Sequence, residues 1–366
     1  MAIQSIEEER RRRAAALLEE AGPEKTRLDA LIVGSLTNVR YLMGFTGSNA
    51  SVLLYRDGRA KLFTDPRYTV QAGQQATCRV RIVRGPLTKA LLAEIARSGV
   101  KKIGFEQDRL TVAEFEALRK DLPVRAALIP VTGSIEKLRM VKDAGEIALI
   151  RKSVWINSSA LDAALQWFQV GMSEADLAAE IDYRSRRLGA EGPSFDTIVA
   201  AGERAALPHA HPGAAPIGHG ILLIDMGAFH HGYASDMTRM AYVGKADARY
   251  RRAYGAVLDA QLAAIDAVRA GAKTSAVDRA ARQTLKGHGL EREFIHSTGH
   301  GLGLEIHEPP RIGRKDETKL EAGMAITIEP GVYIEGWGGI RIEDTVLVTE
   351  NGCEILTPTG KELREL

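Results

Sequence analysis

Apolar positions recur with two different periods along this chain. Ile6 to Glu20 is charged and Ala/Leu-rich, which predicts a helix, and Leu28 to Gly34 is a short apolar run of strand length. Ser51 to Tyr55 and Ala60 to Phe63 flank Arg56-Asp57-Gly58-Arg59, and an Asp-Gly pair between such runs predicts a tight hairpin. Leu87 to Ser98 reads as helix, Lys102 to Phe105 as strand and Val112 to Lys120 as helix. This alternation predicts an α/β domain over residues 1–134, a linker, and a second domain over 135–366 that opens on a long helical pattern near Asp143.

The second domain carries a pattern that occurs twice. Helical segments near 143–169 and 174–188 lead to an apolar strand pair at 220–243. Helical segments near 247–270 and 275–288 lead to another at 323–349. Gly171-Met172-Ser173 and Gly271-Ala272-Lys273-Thr274 punctuate the two helix pairs at corresponding places. Helix, helix, hairpin, repeated, predicts an α+β domain with an internal pseudo-two-fold duplication, its halves closing around a shared site.

Each predicted hairpin holds an acid where an apolar residue is expected. Asp225 directly follows Ile221-Leu222-Leu223-Ile224, and a buried carboxylate without a cation is costly by several kcal/mol. Facing residues of a hairpin are equidistant from its turn. Asp225 and Asp236 are symmetric about His230/His231, and Glu329 and Glu343 about Gly336 in the Gly-rich stretch Glu335 to Gly339. Two hairpins with mirrored acids would bring four carboxylates together, an arrangement that needs divalent cations. A fifth ligand candidate is His300, in Gly299-His300-Gly301-Leu302-Gly303, where the glycines are expected to let the backbone turn tightly. Four carboxylates and one imidazole suit Mn²⁺ first, with Co²⁺, Zn²⁺ or Fe²⁺ as alternatives.

Composition narrows the classes. Net charge is +2, from 49 Lys+Arg against 47 Asp+Glu, which argues against nucleic acid as a partner, and the Arg10 to Arg13 run mixes with Glu7 to Glu9 as a solvated helix face. The two cysteines, Cys78 and Cys353, form no CxxC and give no disulfide framework. Charged residues stand where a signal peptide would be apolar, and no stretch approaches the roughly 18 apolar residues of a membrane span, so a cytoplasmic protein without membrane contact is expected. All nine histidines fall between His209 and His307, which places the chemistry in the second domain. His209 and His211 sit in a proline-bounded loop, His296 and His307 flank His300, and His219, His230, His231 and His288 read as surface positions. There is no GxxxxGK(S/T), HExxH or GxSxG motif.

The segments ILLIDMGA, SDMTR, STGHGLGLEIHEPP, ITIEPGVY and RIEDT resemble the pita-bread metallopeptidases, the family of methionine aminopeptidase, aminopeptidase P and prolidase. They supply every position of that family's Asp, Asp, His, Glu, Glu metal set. Asn38 to Leu42, Gly44 to Gly47 and Phe63 to Tyr68 resemble the N-terminal domain of the Xaa-Pro peptidases, which methionine aminopeptidases lack; creatinase shares the fold but not the metal set. The resemblance implies that Asp225 chelates one of two metal ions, that Asp236 and Glu343 bridge both, and that His300 and Glu329 complete the other. It further implies that Glu329 moves a proton to the leaving nitrogen, that His209 and His307 hold the substrate carbonyl, and that His296 stands near the proline side. Arg341, two residues before Glu343, reads either as an orienting cation or as a surface arginine. The expected activity is that of an Xaa-Pro aminopeptidase acting on peptides with proline at position two, with prolidase as the alternative. A catalytically silent binding protein on this fold should have lost ligands, and none is lost. The resemblance also implies a homodimer.

Overall fold

The computed structural model describes residues 5–366. The chain divides into two compact units between Arg139 and Met140. The break falls within the helix Ser134–Met140, so the stretch after Ser134 is helix where the sequence predicted a linker.

The first unit is built on a mixed six-stranded sheet in the order Arg79–Ile82, Ala60–Thr64, Ala50–Tyr55, Ala30–Val33, Lys102–Glu106, Ala127–Val131. The Asp57-Gly58 turn joins the antiparallel pair as expected, with Leu54 opposite Ala60 and Gly58 at φ 83°. Ile32, Leu53, Phe63, Ile103 and Phe105 from the sheet pack with Leu91, Ile95 and Leu118 from the helices Leu87–Ser98 and Val112–Lys120. The helix Leu36–Met43 went unpredicted: its Ser35 and Gly34 amides are held by the Glu106 carboxylate at 2.9 and 2.8 Å, a partner 71 and 72 residues away.

Glu94 is an exception to apolar burial in this unit, at 3% exposure. Burial opposes its ionisation, but bonds from Lys61 (2.9 Å), Arg97 and Tyr55 (3.0 Å) outweigh it and hold the carboxyl at about 2. A folded-state pKa below the unfolded value contributes stability that is present above about pH 4.5 and lost as pH falls through 2. Glu94→Gln is therefore expected to cost about 3 kcal/mol at pH 7 and almost nothing at pH 2. Hydrogen exchange of the Ala50–Tyr55 and Ala60–Thr64 amides against pH is the measurement; a cost independent of pH would refute it.

In the second unit the long helix Ala144–Trp167 begins where the pattern placed it. Asp143 caps it, and its carboxylate and that of Glu146 exchange bonds with each other's amides at 3.0 Å. This helix and Glu174–Arg187 form one pair, and Ala248–Asp266 and Thr274–Gly287 form the other. The first pair covers one face of a four-stranded sheet ordered Arg364–Glu365, Met237–Val243, Gly220–Met226, Ile198–Ala201. The second packs against a five-stranded sheet ordered Glu308–Ile312, Gly299–Gly301, Ala325–Ile328, Asp344–Val348, Cys353–Ile355. Strand alternation then sets which way the acids face. Leu222, Ile224 and Met226 pack with the first helix pair, so Ile221, Leu223 and Asp225 face the other way. Ile326, Ile328, Val346 and Val348 pack with the second pair, which turns Glu329 and Glu343 away from it.

The register of the two hairpins differs from expectation in one case. The first is centred on His231-Gly232, both at positive φ (45° and 71°), so Thr238 rather than Asp236 stands opposite Asp225. Asp236 lies two residues along on the same face, a diagonal neighbour of Asp225. The second is centred on Gly336 as predicted: Ile328 opposite Asp344 and Ile334 opposite Gly338 continue one register through both short ladders.

Candidate metal centre

Asp225, Asp236, His300, Glu329 and Glu343 all line one cavity of about 730 Å³, together with His209, His296, His307 and Arg341. Asp236, His300 and Glu343 each offer a ligand atom within 4.8 Å of the others. His300 Nε2 lies 3.5 Å from both Asp236 Oδ2 and Glu329 Oε1. Its other nitrogen, Nδ1, lies 3.0 Å from the Gly301 carbonyl; donating there leaves the Nε2 lone pair turned to the carboxylates.

The glycines beside His300 serve close approach, not a turn. Gly299-His300-Gly301 is extended strand, and a Cβ on Gly299 would sit 1.9 Å from the Thr327 carbonyl oxygen, one on Gly301 2.4 Å from that of Pro309. The imidazole is thus carried on a strand wedged between two others.

Charge in the cavity is lopsided. Burial, and then mutual repulsion among Asp225, Asp236, Glu329 and Glu343, raise the pKa values of Asp236 and Glu343 well above normal. Asp225 is raised by burial, with Arg341 pulling the other way. Arg341 is 3% exposed and no surface arginine. It donates to Asp225 Oδ2 and Tyr333 Oη at 2.6 Å and to Thr238 Oγ1 at 2.9 Å. Thr238 Oγ1 in turn donates to Glu343 Oε2 at 2.8 Å. Asp225 Oδ1 and Glu343 Oε1 are buried with no hydrogen-bond partner among the described residues. One arginine against four carboxylates, with two orphaned oxygens aimed inward, fits a centre for divalent cations.

The other predicted residues surround this floor. The His307 ring lies 4.4 Å from that of His300; burial, then the neighbouring His300, lower its pKa, so it is neutral at pH 7. His296 is likewise lowered by burial; its Nε2 is 2.9 Å from Tyr333 Oη and its ring packs edge-on against Phe294 at 5.0 Å. His209 lines the cavity and His211 does not; His219, His231 and His288 are exposed. Sequence reasoning passed over Thr238 and Tyr333. Thr238 had a usable signal, since it follows Asp236 by two residues and must share its face. Tyr333 had none.

Comparison with known proteins agrees with this geometry. The model of metallopeptidase family M24 matches residues 148–350, and that of the creatinase/prolidase N-terminal domain matches residues 10–141. An Xaa-Pro dipeptidase of Pyrococcus horikoshii is 36% identical over 93% of this chain and 95% of its own. The structure of an Xaa-Pro dipeptidase from Bacillus anthracis superposes with a TM-score of 0.94 at 36% identity, covering 98% of this chain and 100% of that one. That of an X-Pro aminopeptidase from Thermotoga maritima superposes with a TM-score of 0.88 at 35% identity, over 93% and 98%. The chain belongs to metallopeptidase family M24, with a creatinase-type N-terminal domain and a pita-bread catalytic domain. Among the described residues, no helix is long and apolar enough to cross a membrane.

Proposed function

We propose that this metallopeptidase is an exopeptidase that cleaves after the first residue of peptides carrying proline at position two. The observation that carries the proposal is the inward-facing set of four carboxylates and His300 on the floor of a cavity walled by His209, His296 and His307. In the proposal Asp225, Asp236, His300, Glu329 and Glu343 hold two divalent cations, with Mn²⁺ the preferred ion. Bound there, the ions supply an acidified water and polarise the scissile carbonyl. The remaining steps belong to the protein. Glu329, less buried than Asp236 or Glu343, carries the proton to the leaving proline nitrogen, which has no hydrogen of its own. His307 and His209 donate to the carbonyl oxygen as it gains charge. His296, held between Phe294 and Tyr333, walls the proline side.

Release of one residue from longer peptides, as an Xaa-Pro aminopeptidase, is the primary reading. The dipeptidase names among the relatives favour a second, in which the dipeptide is preferred. The proposal includes a cytoplasmic homodimer: the free Cys78 and Cys353 suit a reducing compartment, and the dimer rests on the family resemblance.

The test uses metal-stripped protein with and without Mn²⁺, following release of the first residue from Xaa-Pro, Xaa-Pro-Yaa and Xaa-Ala-Yaa. Metal-dependent cleavage confined to the proline peptides is the expected result. Preference for the tripeptide establishes the aminopeptidase and preference for the dipeptide the prolidase. Equal cleavage of the alanine peptide overturns proline specificity.

A further inference from the structure

The catalytic cavity continues into a second hollow of about 550 Å³, sharing His296, Ser297, Arg311 and Asp316 with it. Its rim carries Arg292, Arg311, Arg314 and Lys315, all exposed, and among the described residues none of the four enters an ion pair or side-chain hydrogen bond. The acids of the lining offset these cations only in part. The Asp316 carboxylate accepts from the Thr318 amide at 2.8 Å and from Thr274 Oγ1 at 3.1 Å. Arg282 at the base is locked on Asp278 at 2.8 Å, and it also donates to the Phe294 and His296 carbonyls. Neutral donors leave Asp316 its charge, so Glu291 and Asp316 are two acids against four cations that have no ion pair among the described residues. Ile295, 67% exposed, adds an apolar surface between them.

The two hollows therefore differ in what offsets their charge. The carboxylates of the metal cavity are taken up by the two cations of the proposed centre, whereas the groove beyond His296 keeps an excess of guanidinium and ammonium groups. In the proposed function His296 walls the proline side, so the chain beyond the cleaved bond leaves past it into this groove. Resting on the reading of the site as an Xaa-Pro exopeptidase, we propose that this groove is a subsite for the residues following proline, selecting peptides that place a carboxylate there. An acidic side chain at position three and the α-carboxylate of a tripeptide supply the same chemistry. Arg292, Arg314 and Lys315 are the specificity determinants, and Arg311 stands at the junction of the two hollows.

Three exposed cations acting together on one carboxylate are expected to give about a tenfold preference in kcat/KM, expressed mainly in KM and shrinking as salt is raised. The test compares Xaa-Pro-Glu-amide, Xaa-Pro-Gln-amide and Xaa-Pro-Lys-amide, which isolate the side chain, and Xaa-Pro-Gly against Xaa-Pro-Gly-amide, which isolates the α-carboxylate. Full-length metal-loaded protein is compared with the Arg292→Glu/Arg314→Glu variant. The expected result is Glu over Gln over Lys in the wild type, and an inverted order in the variant, which should cleave the Lys peptide better than the wild type does. That gain also excludes misfolding as the cause. Preference for the free acid without a Glu preference assigns the groove to the α-carboxylate alone. Equal kcat/KM for all five peptides, with proline specificity intact, overturns the subsite and leaves the peptidase reading standing. If no proline peptide is cleaved, the peptidase reading falls. The groove is then judged by calorimetric binding of the Glu and Lys peptides, where equal affinities overturn it and a Glu preference lost in the variant sustains it.

Discussion

Replacing Glu343 with Gln is expected to abolish metal-dependent hydrolysis while making the metal-free protein more stable. Glu343 is 1% exposed, and Asp236, Glu329 and Asp225 all repel it. Its Oε2 accepts from Thr238 and its Oε1 has no partner. A glutamine keeps the acceptor for Thr238 and replaces the orphaned oxygen with an amide that can donate to a neighbouring carboxylate. Without metal the variant should gain on the order of 1–3 kcal/mol, the repulsion and desolvation released. With metal the order reverses. The wild type gains binding free energy as cation is added and the variant gains little, so their melting curves should cross during a titration with Mn²⁺. Loss of several kcal/mol of charge stabilisation corresponds to a fall in kcat on the order of a thousandfold. Calorimetry should count fewer bound ions. A metal-free variant less stable than the metal-free wild type would show instead that Glu343 supports the fold by itself.

The same buried charge makes the site more legible in the sequence than its surroundings. A carboxylate behind Ile221-Leu222-Leu223-Ile224 breaks an apolar run, and such a breach reads directly from sequence. Symmetry about the turn succeeded at Gly336 because one register runs through both short ladders. At the first hairpin it was out by two residues, because the turn is His231-Gly232. An error of two leaves the facing side unchanged, which is why Asp225 and Asp236 still point into one cavity. The glycines around His300 are plain in the sequence, but the reason for them is not: their contacts are the Thr327 and Pro309 carbonyls, beyond the reach of local sequence. The helix Leu36–Met43 is hidden for a similar cause, the Gly34 and Ser35 amides just before it being held by the distant Glu106.

Arg341→Met is expected to be the most destabilising single change at the site. The guanidinium is the one Lys or Arg group within bonding distance of the four carboxylates among the described residues, and it joins Asp225, Tyr333 and Thr238. Methionine preserves much of the volume and none of the donors. Asp225 would then lose the one cation paired with it, while its Oδ1 already has no hydrogen-bond partner among the described residues. Removing one member of a buried ion pair costs about 3–5 kcal/mol, and that is the loss expected for the metal-free protein. Added Mn²⁺ should recover part of it, because a cation at Asp225 replaces the missing charge. It cannot restore the bond to Tyr333, whose hydroxyl is pushed up to about 12, mainly by burial, and stays protonated beside His296 Nε2. Arg341→Lys distinguishes charge from geometry. One ammonium restores the sign but cannot span Asp225, Tyr333 and Thr238 in the plane of a guanidinium. If charge alone matters, lysine and excess metal will rescue stability and kcat equally. If the fork matters, stability will recover with lysine while kcat stays low, because the Asp225 and Glu343 carboxylates are no longer held in one register through Thr238. The second outcome is the expected one, measured by thermal unfolding and by kcat on one proline peptide across a metal titration.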